Sequence, residues 1–339
     1  MLAGMTDVQQ PGLWCPIAVR RAPEAARRRA HHHAIAWAGQ AGLVEDDLQL
    51  AWYSRWNAAE FTARVYGRCD PDSFDLATQW FGWMNVLDDR LESTPLADLP
   101  AQLGPLADVF SGAAGRPRKP ATSLSGALAD LWGRTRGCMS PAWQARMAYL
   151  WDQCAEGFLW EARNRILGRP PGLADYMARR VDAGGAQFCL ALAEALYKEE
   201  LSDEMYYSAP LKVLRECACE HICWANDVLT LEREAARGDV HNLVLVLQAA
   251  QGISRAAAIA SVIQLADDRV RTVLALTERV IPDYAGAEHL SSEQRDRLFR
   301  SVDVIEQWLA GSLEFHRIST RHTDHQAEGI NPFSAACAS

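Results

Sequence analysis

The sequence predicts an all-α protein of about ten or more helices in one large domain. Three observations carry that expectation. Apolar residues recur at helical spacings over long stretches, and almost nothing alternates with the two-residue period of a half-buried strand. Hydrophobic residues make up 49% of the 339, ample for a large core. No Pro/Gly/Ser linker divides the chain, and no segment repeats at a fixed period. The expected organisation is an irregular leader over 1–21, a helical domain over 22–322, and a polar, flexible tail over 323–339.

Charge and composition exclude several classes. The net charge of −9 argues against a general nucleic-acid binder. An acidic chain that takes anionic phosphates needs metals or a local basic pocket. No apolar run approaches the roughly 20 residues of a membrane span, so stable membrane insertion is not expected. The N-terminus has no signal-peptide core, and the nine cysteines have no disulfide-scaffold spacing, so the expected location is a reduced cytoplasm.

Taken in order, helical patterns run over about 25–42 and 46–66, the second rich in aromatics (Trp52, Tyr53, Trp56, Phe61). Asp70-Pro71-Asp72-Ser73 is a good helix start, with proline and acids at the N-terminus. The helix that follows, to about 92, ends in Asp88-Asp89-Arg90-Leu91-Glu92. Stepping back from Asp88 gives Met84, Phe81 and Trp80, so the carboxylate face continues into an aromatic one. Asp88 and Glu92 share that face, while Asp89 points about 100° away. Acids at a helix C-terminus oppose the macrodipole, which favours a functional over a structural origin.

Prolines break residues 93–122 into short helices. Helical patterns then cover 123–136, 141–167 and 173–181, and resume at 186 after Gly184-Gly185. Paired glycines between apolar halves mark a kink or break that frees backbone groups. The longest pattern starts at Ser208 and runs to about Glu234. Its Cys217, Cys219, His221 and Cys223 lie on opposed faces, which favours packing over zinc ligation. Asn226, Thr230 and Glu234 fall at i, i+4 and i+8 on one face, spanning roughly 12 Å of helix. An amide oxygen, a hydroxyl and one carboxylate make a hard oxygen site of the kind that suits Mg²⁺ shared with a phosphate. Helices at about 243–250, 254–281 and 292–319 close the chain, the last with Trp308 and Phe315 on one apolar stripe.

Two oxygen clusters on separate helices, arginines before a glycine break, and aromatic faces below the acids suit the removal of diphosphate from an apolar chain. At this point the chain resembles the bacterial class I terpene synthases (terpene cyclases, sesquiterpene type). Asp88-Asp89-Arg90-Leu91-Glu92 is similar to their aspartate-rich motif. Asn226, Thr230 and Glu234 match their second metal motif, N-D-x-x-[ST]-x-x-x-E, at every defining position. Arg180 lies where that family places a diphosphate-sensing arginine, with Ala183 and Gly184 at the linker and effector positions. Glu161 resembles a glutamate that supports a metal through water, and Arg233 a basic residue that contacts diphosphate. Arg321 corresponds to the arginine of a C-terminal Arg-Tyr pair. His322 replaces the tyrosine, and the acidic motif ends in Glu rather than Asp.

The resemblance implies a single-domain helical bundle around a deep apolar pocket. It implies a lyase that ionises a linear prenyl diphosphate, farnesyl diphosphate being the expected one, and cyclises the cation. Three Mg²⁺ ions, with Mn²⁺ able to substitute, would sit between Asp88, Asp89 or Glu92 and Asn226/Thr230/Glu234. Arg180, Arg233, Arg321 and His322 would grip the diphosphate, and the backbone at Gly184 would steer the cation. Phe81, Trp308 and Phe315 would bind the hydrocarbon, with Trp56, Trp80, Met84 and Phe188 as further contour. Asp89 is also a candidate to hold Arg180. A homodimer is compatible with the resemblance. Two alternatives stay open: a chain-elongating prenyl-diphosphate synthase, which would want a second DDxxD helix, and a non-catalytic helical lipid-binding protein.

Overall fold

The computed structural model describes residues 12–112, 123–319 and 332–333. Fifteen α-helices are found there, and no strand is found among the described residues. In the first half they are α1 (Glu24–Gln40), α2 (Asp47–Trp56), α3 (Ala58–Val65), α4 (Pro71–Glu92), α5 (Leu99–Ser111), α6 (Ser123–Arg136) and α7 (Pro141–Leu167). Then come α8 (Leu173–Ala183), α9 (Ala186–Tyr197), α10 (Asp203–Tyr206), α11 (Ala209–Ala236), α12 (Leu243–Gln251), α13 (Arg255–Ala275), α14 (Ile281–Ala287) and α15 (Ser292–Ile318).

Local chemistry sets the ends of the helices that matter most. Asp70 caps α4 by accepting from the backbone N–H groups of Asp72 and Ser73, with Pro71 in the first turn. Ser291 and Gln294 form a reciprocal capping box on α15. The pattern over 46–66 is two helices rather than one. Asn57 adopts a left-handed conformation (φ 48°) and turns the chain between α2 and α3. Periodicity continues through such a break, so the sequence alone reads one helix.

α11 is the central element, packing on α13, α15, α9, α8 and α12. Cys217, Cys219, His221 and Cys223 on it are all buried in that packing. α4 buries Trp80 and Trp83 completely. Their indole N–H groups donate to Thr135 Oγ1 (2.9 Å) and the Leu124 carbonyl (3.0 Å), so burial leaves neither group unsatisfied. Replacing either by alanine is expected to cost roughly 3–5 kcal/mol. α7 and α8 cross in backbone contact, since a Cβ on Gly157 would lie 2.5 Å from Ala183 Cα. That crossing sets Glu161, one turn further along α7, beside the end of α8.

The chain before α1 has no regular secondary structure from residue 12, yet Leu13 and Ala22 are buried; the Trp14 N–H donates to Asp267 (2.9 Å) and the Arg20 N–H to Gln307 (2.8 Å). One expectation for the other terminus needs correcting. Pro332 and Phe333, in the stretch read as a flexible tail, are buried. Phe333 stacks on Trp56 (5.7 Å between centroids), with the Arg90 guanidinium 5.9 Å from its ring. Gln49 Nε2 donates to the Pro332 carbonyl at 3.2 Å. A single phenylalanine after a proline sets no helical periodicity, so the sequence holds no sign of its slot.

Candidate active site

A cavity of about 360 Å³ lies between α4, α7, the α8–α9 break, α11 and α15. That is within the range of small-molecule sites. Charged side chains from α4, α7, α8 and α11 meet aromatic ones from α2, α3, α4, α9 and α15 in its lining.

On α4, Asp88 and Glu92 both line the cavity and both are exposed. Glu92 lies 3.7 Å from Arg237. Asp89 departs from both roles expected of it. The 100° step around the helix turns its carboxylate away from the cavity. It is buried and accepts from Trp52 Nε1 at 2.9 Å. Nor does it hold Arg180: that guanidinium pairs with Asp227 instead, through Nε (3.0 Å) and Nη2 (2.8 Å).

Asp227 is the residue that sequence reasoning passed over. It is fully buried on α11 and also accepts from Tyr176 Oη (2.6 Å) and the Leu243 N–H (3.1 Å). One carboxylate therefore ties α8, α11 and the start of α12 together. Such a carboxylate is stable only because four donors replace its water shell. Its place within the N-D motif was the available signal, but partners on other helices are invisible to helical spacing.

Asn226 and Glu234 line the cavity, and Asn226 Oδ1 accepts from Arg180 Nη2 at 3.2 Å. Thr230 is buried behind them, its hydroxyl donating to the Asn226 carbonyl at 2.7 Å. Glu234 Oε2 accepts from Asn242 Nδ2 at 2.9 Å, and Arg233 Nη2 lies 3.9 Å from its other oxygen. Burial, and then the charge of Asp227, push the Glu234 carboxyl up to about 7. Burial likewise pushes Glu161 up to about 8, against Arg180 and Arg165. Asp239, also in the lining, is raised by burial, but hydrogen bonds from the His241 side chain and N–H outweigh this and hold it well below the ordinary range.

These shifts test whether the site fits a divalent cation. Among the described residues, no three His, Cys, Asp or Glu side chains form a ready-made metal cluster. The donors are instead oxygens of mixed type divided between two helix ends. Glu161 and Glu234 are carboxyls whose charged forms are disfavoured chiefly by burial, an environment that added cations would relieve. The residues present fit hard cations held by a few protein oxygens and completed by water and phosphate.

Below the charges the lining is apolar. Phe81, Trp308 and Phe315 line the cavity as expected, as do Trp56, Met84 and Phe188. Trp80 does not; it lies behind Phe188, 5.9 Å between centroids. Phe61 was not singled out as contour, yet it gathers the wall: its ring sits 4.5 Å from Phe81, 5.1 Å from Phe315 and 5.5 Å from Trp308. Three helices supply that cluster. Gly184 and Gly185 line the cavity at the α8–α9 break, where Gly185 takes a left-handed φ of 63°. A Cβ on Gly184 would come within 3.0 Å of Arg180 Nη1 and Cys223 Sγ. Arg321 and His322 lie outside the described residues.

This all-α bundle has the class I isoprenoid synthase fold. α-Eudesmol synthase has the same fold, with a TM-score of 0.82 over 90% of this chain and 98% of that one at 23% identity. Germacradien-4-ol synthase of Streptomyces citricolor superposes with a TM-score of 0.79 at 25% identity, covering 90% of this chain and 97% of the other. The model of terpene synthase family 2, C-terminal metal binding, matches residues 79–272. Pentalenene synthase of Streptomyces avermitilis is 31% identical over 313 residues, 91% of each chain. The (+)-T-muurolol synthase ((2E,6E)-farnesyl diphosphate cyclizing) of Roseiflexus castenholzii is 28% identical, over 85% of this chain and 86% of the other. The chain belongs to terpene synthase family 2 and is a metal-dependent terpene cyclase. No helix among the described residues is long and apolar enough to cross a membrane.

Proposed function

We propose that this protein is a carbon–oxygen lyase that ionises farnesyl diphosphate and cyclises the resulting cation, releasing diphosphate. The observation that carries this reading is one cavity with two oxygen-bearing helix ends at its charged part and an aromatic wall below. The farnesyl chain is supported by relatives whose names specify cyclisation of (2E,6E)-farnesyl diphosphate.

Asn226, Thr230 and Glu234 on α11, with Asp88 and Glu92 on α4, would hold three Mg²⁺ ions. When bound, the ions would supply Lewis-acid neutralisation of the leaving diphosphate. Arg180 and Arg233 place fixed positive charge beside those oxygens, where negative charge develops as the C–O bond breaks. Arg180 is pre-aimed, because Asp227 grips its Nε and Nη2 and leaves Nη1 beside Gly184. Arg321 and His322 are assigned to the same diphosphate contacts. The aromatic faces of Phe61, Phe81, Trp308 and Phe315 exclude water from the hydrocarbon. They stabilise positive charge by up to about 2 kcal/mol or more per desolvated contact. Ala183, Gly184 and Gly185 bring the α8–α9 backbone against the substrate, the part of the wall that can steer the cation. Helical domain limits of 22–322 belong to the same proposal, extended by the docked Phe333.

The test is a product screen by gas chromatography with geranyl, farnesyl and geranylgeranyl diphosphates, each with Mg²⁺ and with EDTA. A Mg²⁺-dependent cyclic volatile from farnesyl diphosphate is expected. A cyclic product only from another chain length overturns the substrate assignment, and no consumption of any of the three overturns the catalytic one.

A further inference from the structure

The walls of the catalytic cavity change character along three helices. On α7 the lining steps from Glu161 to Phe158, Cys154 and Trp151. On α11 it steps from Glu234 and Asn226 to Cys223 and Ile222. On α4 it steps from Asp88 through Asn85 to Met84 and Phe81. Each helix presents oxygen at the charged end of the cavity and sulfur or hydrocarbon further in, and α9 adds Cys189 to the inner part.

The sulfurs gather around the α8–α9 break. A Cβ on Gly184 would lie 3.0 Å from Cys223 Sγ, and one on Gly185 would lie 3.8 Å from Cys154 Sγ. Cys189 Sγ lies 3.8 Å from Met84 Sδ. The three cysteines are buried and free, and close enough that a charge on one would disfavour a charge on the next. Burial pushes the Cys189 thiol up to about 12 and that of Cys223 up to about 11, and it raises Cys154 as well. All three therefore stay protonated near neutral pH. A thiolate would be a nucleophile toward a cation, whereas a buried thiol is a small, soft, polarisable surface.

That surface has little to offer water. A water kept inside a cavity needs about two to four polar partners. A thiol is a weak donor and a weak acceptor, and a thioether only a weak acceptor. Among the described lining residues the one hydroxyl belongs to Ser319, one turn past Phe315 at the end of α15. Asn85 stands roughly 4–5 Å along α4 from Asp88, toward the charged end. The indole N–H groups of Trp151 and Trp308 are buried out of reach of a water-sized group. At the break itself, the Arg180 carbonyl already accepts from the Gly184 N–H at 2.9 Å, with the Cys223 thiol 3.9 Å away.

We propose that Cys154, Cys189 and Cys223 keep the inner end of the cavity dry and so fix the class of product: the last cation loses a proton and leaves as a hydrocarbon, rather than taking up water and leaving as an alcohol. This rests on the proposed function and adds the outcome of the reaction to it. In the final step a C–H bond of the cation breaks, its electron pair forms the new C=C bond, and the proton passes to the diphosphate already released. Water capture would instead form a C–O bond and lose a proton from the added water. The cysteines determine specificity by withholding partners from water, and none of them takes the proton.

The experiment is mass spectrometry of the volatile products formed from farnesyl diphosphate and Mg²⁺ in water labelled with heavy oxygen. Wild type is expected to give mainly unlabelled hydrocarbon. Cys154→Ser and Cys189→Ser each add a hydroxyl that can hold water. Each is expected to raise the share of labelled alcohol about fivefold, the worth of one added hydrogen bond. Cys189→Ala removes the sulfur without adding a partner for water and is expected to keep the wild-type share. That share is a ratio of products, so a general loss of turnover does not move it. A labelled alcohol as the main wild-type product overturns the inference, and so does an unchanged share in both serine variants. Should neither serine variant fold or turn over, a crystal structure of wild type with Mg²⁺ and the unreactive farnesyl thiolodiphosphate decides. Ordered water against the Cys154 or Cys189 sulfur overturns the inference, and its absence there supports it. No volatile product from farnesyl diphosphate in wild type overturns the proposed substrate and this inference with it, whereas a labelled alcohol overturns this inference alone.

Discussion

The two helix ends that meet across the catalytic cavity are built differently. On α4, Asp88 and Glu92 are exposed, and Glu92 stands 3.7 Å from Arg237. On α11, Thr230 and Asp227 are buried, Asn226 and Glu234 half-buried, and the group is wired to α8 and α12 through Arg180, Tyr176 and Asn242. Side chains already locked by neighbours lose little further freedom when a ligand arrives, whereas exposed acids must be ordered at that moment. The α11 end is thus a preorganised half-site, and the α4 end is a half-site completed by what binds. Preorganisation also has a cost, seen in the raised Glu234 carboxyl.

The sharpest way to break this comparison is to exchange the importance of the two ends. Glu234→Gln is expected to lower kcat/KM by about 10³-fold, roughly 4 kcal/mol of transition-state stabilisation. Asp88→Asn should cost about tenfold less. Steady-state kinetics on both folded variants decide it, and a larger loss at Asp88 would reverse the ranking. Asp227→Asn tests the wiring itself. Breaking its buried pair with Arg180 should cost about 3 kcal/mol in urea unfolding and about 10²-fold in kcat/KM. Full activity in a destabilised protein would show that Arg180 needs no holder.

Proton linkage sharpens the comparison further. Glu234 has a folded pKa raised to about 7 from its ordinary 4.5. Its contribution to metal-free stability is therefore fully present below about pH 4.5 and is lost as pH rises through about 7. Metal binding requires the ionised form, so apparent Mg²⁺ affinity should rise up to tenfold per unit as pH approaches 7 and flatten above about 8, where Glu161 is also ionised. Melting curves with and without Mg²⁺ across that range give both trends, and a pH-independent Mg²⁺ effect would remove Glu234 from the ligand set. The smallest effect is expected at Asp89→Asn: about 1 kcal/mol of stability through the Trp52 contact, and less than about threefold in kcat/KM. A loss there as large as at Asp88→Asn would return Asp89 to the metal site.

Features with a local cause were legible in the sequence. Helix class, the Pro71 start of α4, the glycine break at 184–185 and the shared face of Asn226, Thr230 and Glu234 all follow from spacing along one backbone. Spacing also turned Asp89 away from Asp88, but it could not say what Asp89 would meet. The partner of Arg180, the role of Asp227, the Phe61 cluster and the slot for Phe333 join residues far apart in the chain. They became fixed only when α8, α11 and α12 packed together and when α2, α3, α4 and α15 closed one wall. A helix repeats its own geometry every few residues, so the sequence by itself determined which side chains stand together on one element. Which elements face each other depends on packing and burial summed over the whole bundle, and only the tertiary structure decided that.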